Sequence, residues 1–109
     1  MSKYFKKIEY KMNEEFLCKL DEARELAGIP FIINSAYRSP EQNARVGGKL
    51  NSSHLRGLAV DIKATSSRQR GLILKALRQV GLTRVGIART FIHVDMDSDK
   101  DQDVTWLYS

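Results

Sequence analysis

The sequence predicts an α+β domain, a small and mainly antiparallel sheet with helices packed on it. Three observations lead there. Segments 16–27 and 72–80 carry apolar residues at helical spacing, and a glycine follows each. Segments 58–62 and 91–96 alternate instead, as half-buried strands do. Segments 84–88 and 91–96 are close enough in sequence to form a hairpin around Arg89-Thr90.

In chain order, the basic and aromatic stretch 1–11 (Tyr4, Phe5, Ile8, Tyr10) is expected to lie loosely over the core. Asn13 is a helix N-cap, with Glu14 and Glu15 in the first turn where the dipole favours anions. Phe16, Leu17, Leu20, Ala23, Leu26 and Ala27 form the apolar stripe, and Cys18, beside it, is expected to be buried. Residues 31–38 read as a strand that should be central. Ser39-Pro40 starts a short helix, with serine as cap and proline at the first helical position. Leu58 to Ile62 is the next strand, and Ser66 or Ser67 caps the helix that Gly81 ends. The tail 104–108 is apolar enough to dock back on the domain.

Composition bounds what the chain can be. At 109 residues with 42% hydrophobic content, one domain over residues 1–109 with one modest core is expected, and a bound metal would help so small a domain. The net charge of +5 favours an anionic partner, whether nucleic acid, cell-wall polymer or membrane surface. Those charges are spread along the chain, as on an ordinary solvated surface. Cys18 is the only cysteine, which excludes an intrachain disulfide and a cysteine-rich zinc site. The N-terminal stretch has lysines but no long apolar run, so no signal peptide is expected and synthesis is in the cytoplasm. No segment approaches the roughly 18 apolar residues of a membrane span. A monomer is expected.

The candidate chemistry rests on His54, Asp61 and His93. Strand alternation puts Ala59 and Asp61 on one face of their strand, with Val60 and Ile62 toward the core. It likewise puts His93 and Asp95 opposite Ile92 and Val94. Gly57 permits the tight reversal that would fold His54 over both. Two imidazoles and one carboxylate suit a zinc site that keeps one position open for water. The aspartates from Asp95 to Asp103 have the look of a calcium loop, but Lys100 and Trp106 stand where that loop needs glycine and glutamate. A solvated acidic loop is expected there, with the strand ending near Asp97.

These residues also carry a resemblance. Ser52-x-His54-x-x-Gly57-x-Ala59-x-Asp61, with His93-x-Asp95 downstream, resembles the signature of the M15-type zinc D-Ala-D-Ala carboxypeptidases and peptidoglycan endopeptidases. That family has the hedgehog/DD-peptidase fold. Ser35-Ala36-Tyr37-Arg38-Ser39-Pro40, with Gln42, Asn43 and Gly47-Gly48, is similar to the segment that precedes the signature in the family. Order and spacing agree from about Met12 to Asp95, and the short single-domain forms of bacteria and phages are the nearest in kind.

The resemblance implies zinc bound by His54, Asp61 and His93, and hydrolysis of a peptidoglycan stem peptide as carboxypeptidase or endopeptidase. It implies Arg38 as the residue that binds substrate or stabilises the oxyanion, with Gln42 and Ser52 as further substrate contacts. Many members have an acidic general base a few residues before the last histidine. Here Gly86 to Ile92 holds no acid, and Asp95 is the expected substitute. That departure keeps a second reading open: an inactive zinc-binding module that grips cell wall, or a virion structural part. A basic nucleic-acid binder ranks last, because no basic helix with base-reading side chains is present, and no nucleic-acid partner is expected. Without a signal peptide, access to the wall would come by lysis, as for a phage endolysin, or as a phage component.

Overall fold

Helix α1 (Glu14–Ala27) starts where the Asn13 side chain accepts the Phe16 amide and ends at Gly28. Its buried stripe of Phe16, Leu17, Leu20, Ala23 and Ala27 packs beside helix α3 (Ser67–Gln79), which buries Ile73, Ala76 and Leu77. Ser66, one of the two serines expected to cap α3, accepts the Gln69 amide. The structure, a computed structural model, describes residues 2–108. It is an α+β fold with a five-stranded, mostly antiparallel sheet.

The strands are β1 (Ile33–Ser35), β2 (Ala59–Lys63), β3 (Arg84–Ile87), β4 (Phe91–Asp95) and β5 (Thr105–Leu107), in the order β1-β2-β4-β3-β5. Val60 and Ile62 on β2, Val85 on β3, and Ile92 and Val94 on β4 join the helices in one hydrophobic core. The alternate residues of β2 and β4 face away from it. The register pairs Asp61 with His93 and Ala59 with Asp95. Burying both sides of β4 leaves only Phe91 of its residues partly open.

Three expectations need correction, and another, the docking of the tail, holds in a more specific form. The first strand is neither long nor central: β1 lies at the sheet edge and pairs only with β2. Its register slips between Ile33 and Ser35, a bulge beside Asp61, and the chain then leaves the sheet. The backbone it frees at Ala36 and Arg38 bonds to His54 instead. Second, the tail forms a strand, β5, parallel to β3, fixed by Val85 N–H to Val104 O (3.1 Å) and Tyr108 N–H to Ile87 O (2.9 Å). Third, Cys18 is exposed, on the solvent edge of α1 beside the buried Leu17.

Fourth, the N-terminal stretch is held rather than loose. The Asp21 carboxylate on α1 accepts the Ser2 hydroxyl (2.9 Å) and the Lys3 and Tyr4 amides (2.9 and 3.0 Å). Phe5 is buried behind them. Further along, this segment meets the turn that carries His54: Asn13 N–H donates to Gly57 O at 3.0 Å.

Gly57 has a φ of 68°, and a β-carbon there would lie 2.0 Å from Lys11 O. Both backbones are fixed, so neither can yield cheaply. Gly57→Ala should lower unfolding stability by about 1–3 kcal/mol or more, read by urea denaturation. A stability equal to the parent protein would contradict the close approach.

Candidate metal centre

His54 sits in a 3-10 turn, Ser53–Arg56, whose start is capped by the Ser52 hydroxyl accepting the His54 amide. The ring is buried, and its Nδ1 lies 2.8 Å from Ala36 O. A carbonyl only accepts, so Nδ1 carries the hydrogen and Nε2 keeps its lone pair in the neutral ring. That Nε2 points to Asp61 Oδ1 at 3.3 Å.

His93 reaches the same oxygen from the neighbouring strand, with Nδ1 at 3.0 Å from Asp61 Oδ1. Its other nitrogen, Nε2, faces Asp95 Oδ2 at 2.8 Å. Burial disfavours the imidazolium of His93, but its hydrogen bonds to the Asp61 and Asp95 carboxylates outweigh that and raise the pKa above the ordinary histidine value. Burial likewise disfavours the Asp61 carboxylate, yet the two imidazoles hold its pKa well below the usual range. His54 Nε2, Asp61 Oδ1 and His93 Nδ1 thus converge, one atom from each residue, all within 4.8 Å of one another. Tetrahedral zinc with nitrogen and oxygen ligands needs donors roughly 3.3 Å apart. The two contacts to Asp61, 3.3 and 3.0 Å, are of that size, and the two imidazoles and one carboxylate fit the ion in chemistry.

The three donors line a cleft of about 870 Å³. Arg38 and Ser52 line it too. Arg38 Nε is buried without a hydrogen-bond partner, and its backbone N–H is anchored on His54 O at 3.1 Å.

Gln42 is placed differently. It lies in helix α2 (Pro40–Arg45), where its amide oxygen accepts the Ser39 N–H in a capping box, and it is not among the cleft residues. The Ser-Pro-x-Gln spacing had that local use for it.

Asp95 is also placed differently from the base expected of it. It shares the face of His93, but lies behind the ring, on Nε2, with the metal-facing Nδ1 on the far side. Its other oxygen accepts Arg84 Nε (2.6 Å) and the Asp97 amide (3.2 Å). Burial opposes the Asp95 charge, but His93 first, then Arg84 and the Asp97 amide, outweigh it and hold the pKa below its ordinary value. Both oxygens already have hydrogen-bond partners, although the residue borders the cleft.

Residue types had given no notice of the remaining parts. Arg84 is buried across from Asp95 in the β3–β4 register, donates also to Asp101 O, and lies 5.2 Å from the Trp106 ring centre. Alternation would have found it, since Arg84 and Gly86 fall on the face of β3 that meets Asp95 and His93. Tyr108 lies at the cleft edge, its pKa raised by burial and then by the nearby Asp61 and Asp95 charges.

The acidic loop is only partly solvated. Asp97 is fully buried, accepting Ser53 Oγ at 2.7 Å and Arg56 Nη1 at 2.5 Å. Lys100 Nζ donates to Ser53 Oγ at 2.9 Å. This clamp ties the loop after β4 to the turn that carries His54.

The sequence matches a family model described as Peptidase M15 over residues 4–95. Among solved structures, the fold is similar to that of the Serratia marcescens L-Ala D-Glu endopeptidase ChiX. The TM-score is 0.61 and the identity 18%, over 89% of each chain. No curated protein matches the chain.

Burial opposes the Asp97 charge, but Ser53, the Asp99 amide and Arg56 outweigh it and hold the pKa below the ordinary carboxylate value. The stabilisation is therefore present above the unfolded pKa, near 4, and is lost as pH falls through the lower folded value. Asp97→Asn should cost about 1–3 kcal/mol at neutral pH. In urea titrations the gap from the parent protein should narrow on acidification below about pH 4. A gap unchanged into strong acid would contradict an ionised clamp.

Proposed function

The chain belongs to the M15 peptidase family, and from that premise we propose that it is a zinc-dependent peptidase cutting an amide bond in the stem peptides of bacterial peptidoglycan. The observation that carries this is the convergence of His54 Nε2, Asp61 Oδ1 and His93 Nδ1 on one point of the cleft. The Serratia protein is an L-Ala D-Glu endopeptidase, which supports a peptidoglycan stem as substrate class. Carboxypeptidase action on a terminal D-Ala is the other form the family resemblance allows.

A zinc ion bound there supplies a Lewis acid for the scissile carbonyl and a water that ionises near neutral pH. The protein's own residues do the rest. Ala36 O and Asp95 hold the two rings in the orientation that aims a lone pair inward. Asp95 acts as a positioning residue, kept in place by Arg84. Arg38, with an unsatisfied buried Nε in the cleft wall, meets the carbonyl oxygen as negative charge develops on it. Ser52 caps the His54 turn and borders the peptide path. The protein acts alone, as a monomer, and reaches the wall after release from the cytoplasm, as an endolysin or as part of a phage particle. Among the described residues no helix is long and apolar enough to cross a membrane.

One observation favours a second reading. The carboxylates that line the cleft are Asp61 and Asp95, the first a metal donor and the second committed on both oxygens. A cleft without a free carboxylate suits a domain that holds zinc and grips cell wall without cutting it.

Digestion of purified cell wall, with fragment masses read by mass spectrometry, separates the two. The peptidase reading expects new peptide termini with zinc present and none with His54→Ala. Tight wall binding without new termini would sink it in favour of the second. Asp95→Ala should weaken zinc binding by about 10–100-fold, read by competition with a chromogenic chelator. Unchanged zinc affinity would remove the positioning role.

A further inference from the structure

The cleft has a wall that the metal centre does not account for. Strand β5 lies beyond residue 95, where the family match ends. It brings Trp106 and Tyr108 to the cleft, where Phe91 joins them. None of these aromatic rings belongs to the hydrophobic core. Tyr108 stays 43% exposed, so burial alone does not explain its place.

The arrangement is built. On β3, Gly86 stands directly across from His93. A β-carbon on Gly86 would lie 2.4 Å from Trp106 Nε1 and 2.7 Å from Tyr108 Cε2. The bare backbone therefore lets both rings lie over the strand, on the face that carries the metal donors. Trp106 stands 5.4 Å from the His93 ring centre, and the Arg84 guanidinium holds it at 5.2 Å. Tyr108 continues the wall at 6.4 Å from Trp106 and 5.3 Å from Phe91. The same cleft is also lined by the cations Arg38 and Lys49 and by the Gly47-Gly48 turn.

We propose that Trp106 and Tyr108 form the substrate-contacting wall of the cleft, against which a small apolar residue of the peptide lies while the bond to be cut faces the metal donors. This rests on the peptidase reading for the identity of the peptide. Stem peptides suit such a wall, because alanyl methyl groups can lie on an aromatic face. Their carboxylates can then turn to these cations.

Trp106 is the only tryptophan in the chain, so its fluorescence reports on this wall without a label. The zinc-loaded protein is titrated with a synthetic stem pentapeptide, L-Ala-γ-D-Glu-L-Lys-D-Ala-D-Ala, and the same samples are analysed for cleavage by mass. The wall predicts a saturable change in emission and protection of Trp106 from acrylamide. Tyr108→Ala should raise the apparent Kd by about two- to tenfold, while Tyr10→Phe, outside the cleft, should not. If a folded Tyr108→Ala protein cannot be obtained, Tyr108→Leu serves the same comparison. Unchanged emission and quenching up to millimolar peptide overturns the inference, whether or not the peptide is cut. Equal Kd values for parent and Tyr108 variant overturn it too. Protection of Trp106 without cleavage leaves the wall standing and removes the peptidase reading, so the two fail separately.

Discussion

Two hydrogen bonds made behind the histidines govern the rest of the structure. His54 Nδ1–H donates to Ala36 O, and His93 Nε2–H donates to Asp95. Each contact leaves the opposite ring nitrogen facing Asp61. An imidazole free to rotate or to change tautomer would present its lone pair in the wrong direction much of the time. The edge bulge in β1 frees the carbonyl that does this for His54. The buried Arg84 fixes the carboxylate that does it for His93.

The sheet divides the labour between its faces. One face, with Val60, Ile62, Val85, Ile92 and Val94, supplies the core against α1 and α3. The other buries Asp95 and His93, with Arg84 beside them. Buried charges are poor stabilisers unless each has a partner, and here each does. Asp97 extends the same economy into the loop, linking residues 53, 56 and 100. So the two chain segments that carry His54, Asp61 and His93 are tied together by ion pairs as well as by the sheet.

Much of this was legible in the sequence. Period-two alternation put His93 and Asp61 on the non-core faces of their strands, and the register then set them side by side. The helix caps stood as read, because they are local signals, and so did the first helix stripe except at Leu26, which is exposed. What escaped was what local signals do not carry. Alternation put Asp95 on the face of His93 but could not tell the front of a ring from its back. Gln42 had a local use in a capping box that competed with its expected contact to substrate. Strand β5 has no hairpin to announce it, since it pairs in parallel with β3 across an irregular loop. Burial of Asp97 ran against the ordinary habit of acidic residues, and only distant partners permit it.

The account stands on which ring nitrogens point inward. Long-range proton–nitrogen correlation spectra of the histidine rings, recorded with and without added zinc, test it most directly. The prediction is that zinc shifts Nε2 of His54 and Nδ1 of His93 to metal-bound values, while the other nitrogen of each ring keeps its proton. Coordination through the same type of nitrogen in both rings, or spectra that zinc leaves unchanged, would contradict it.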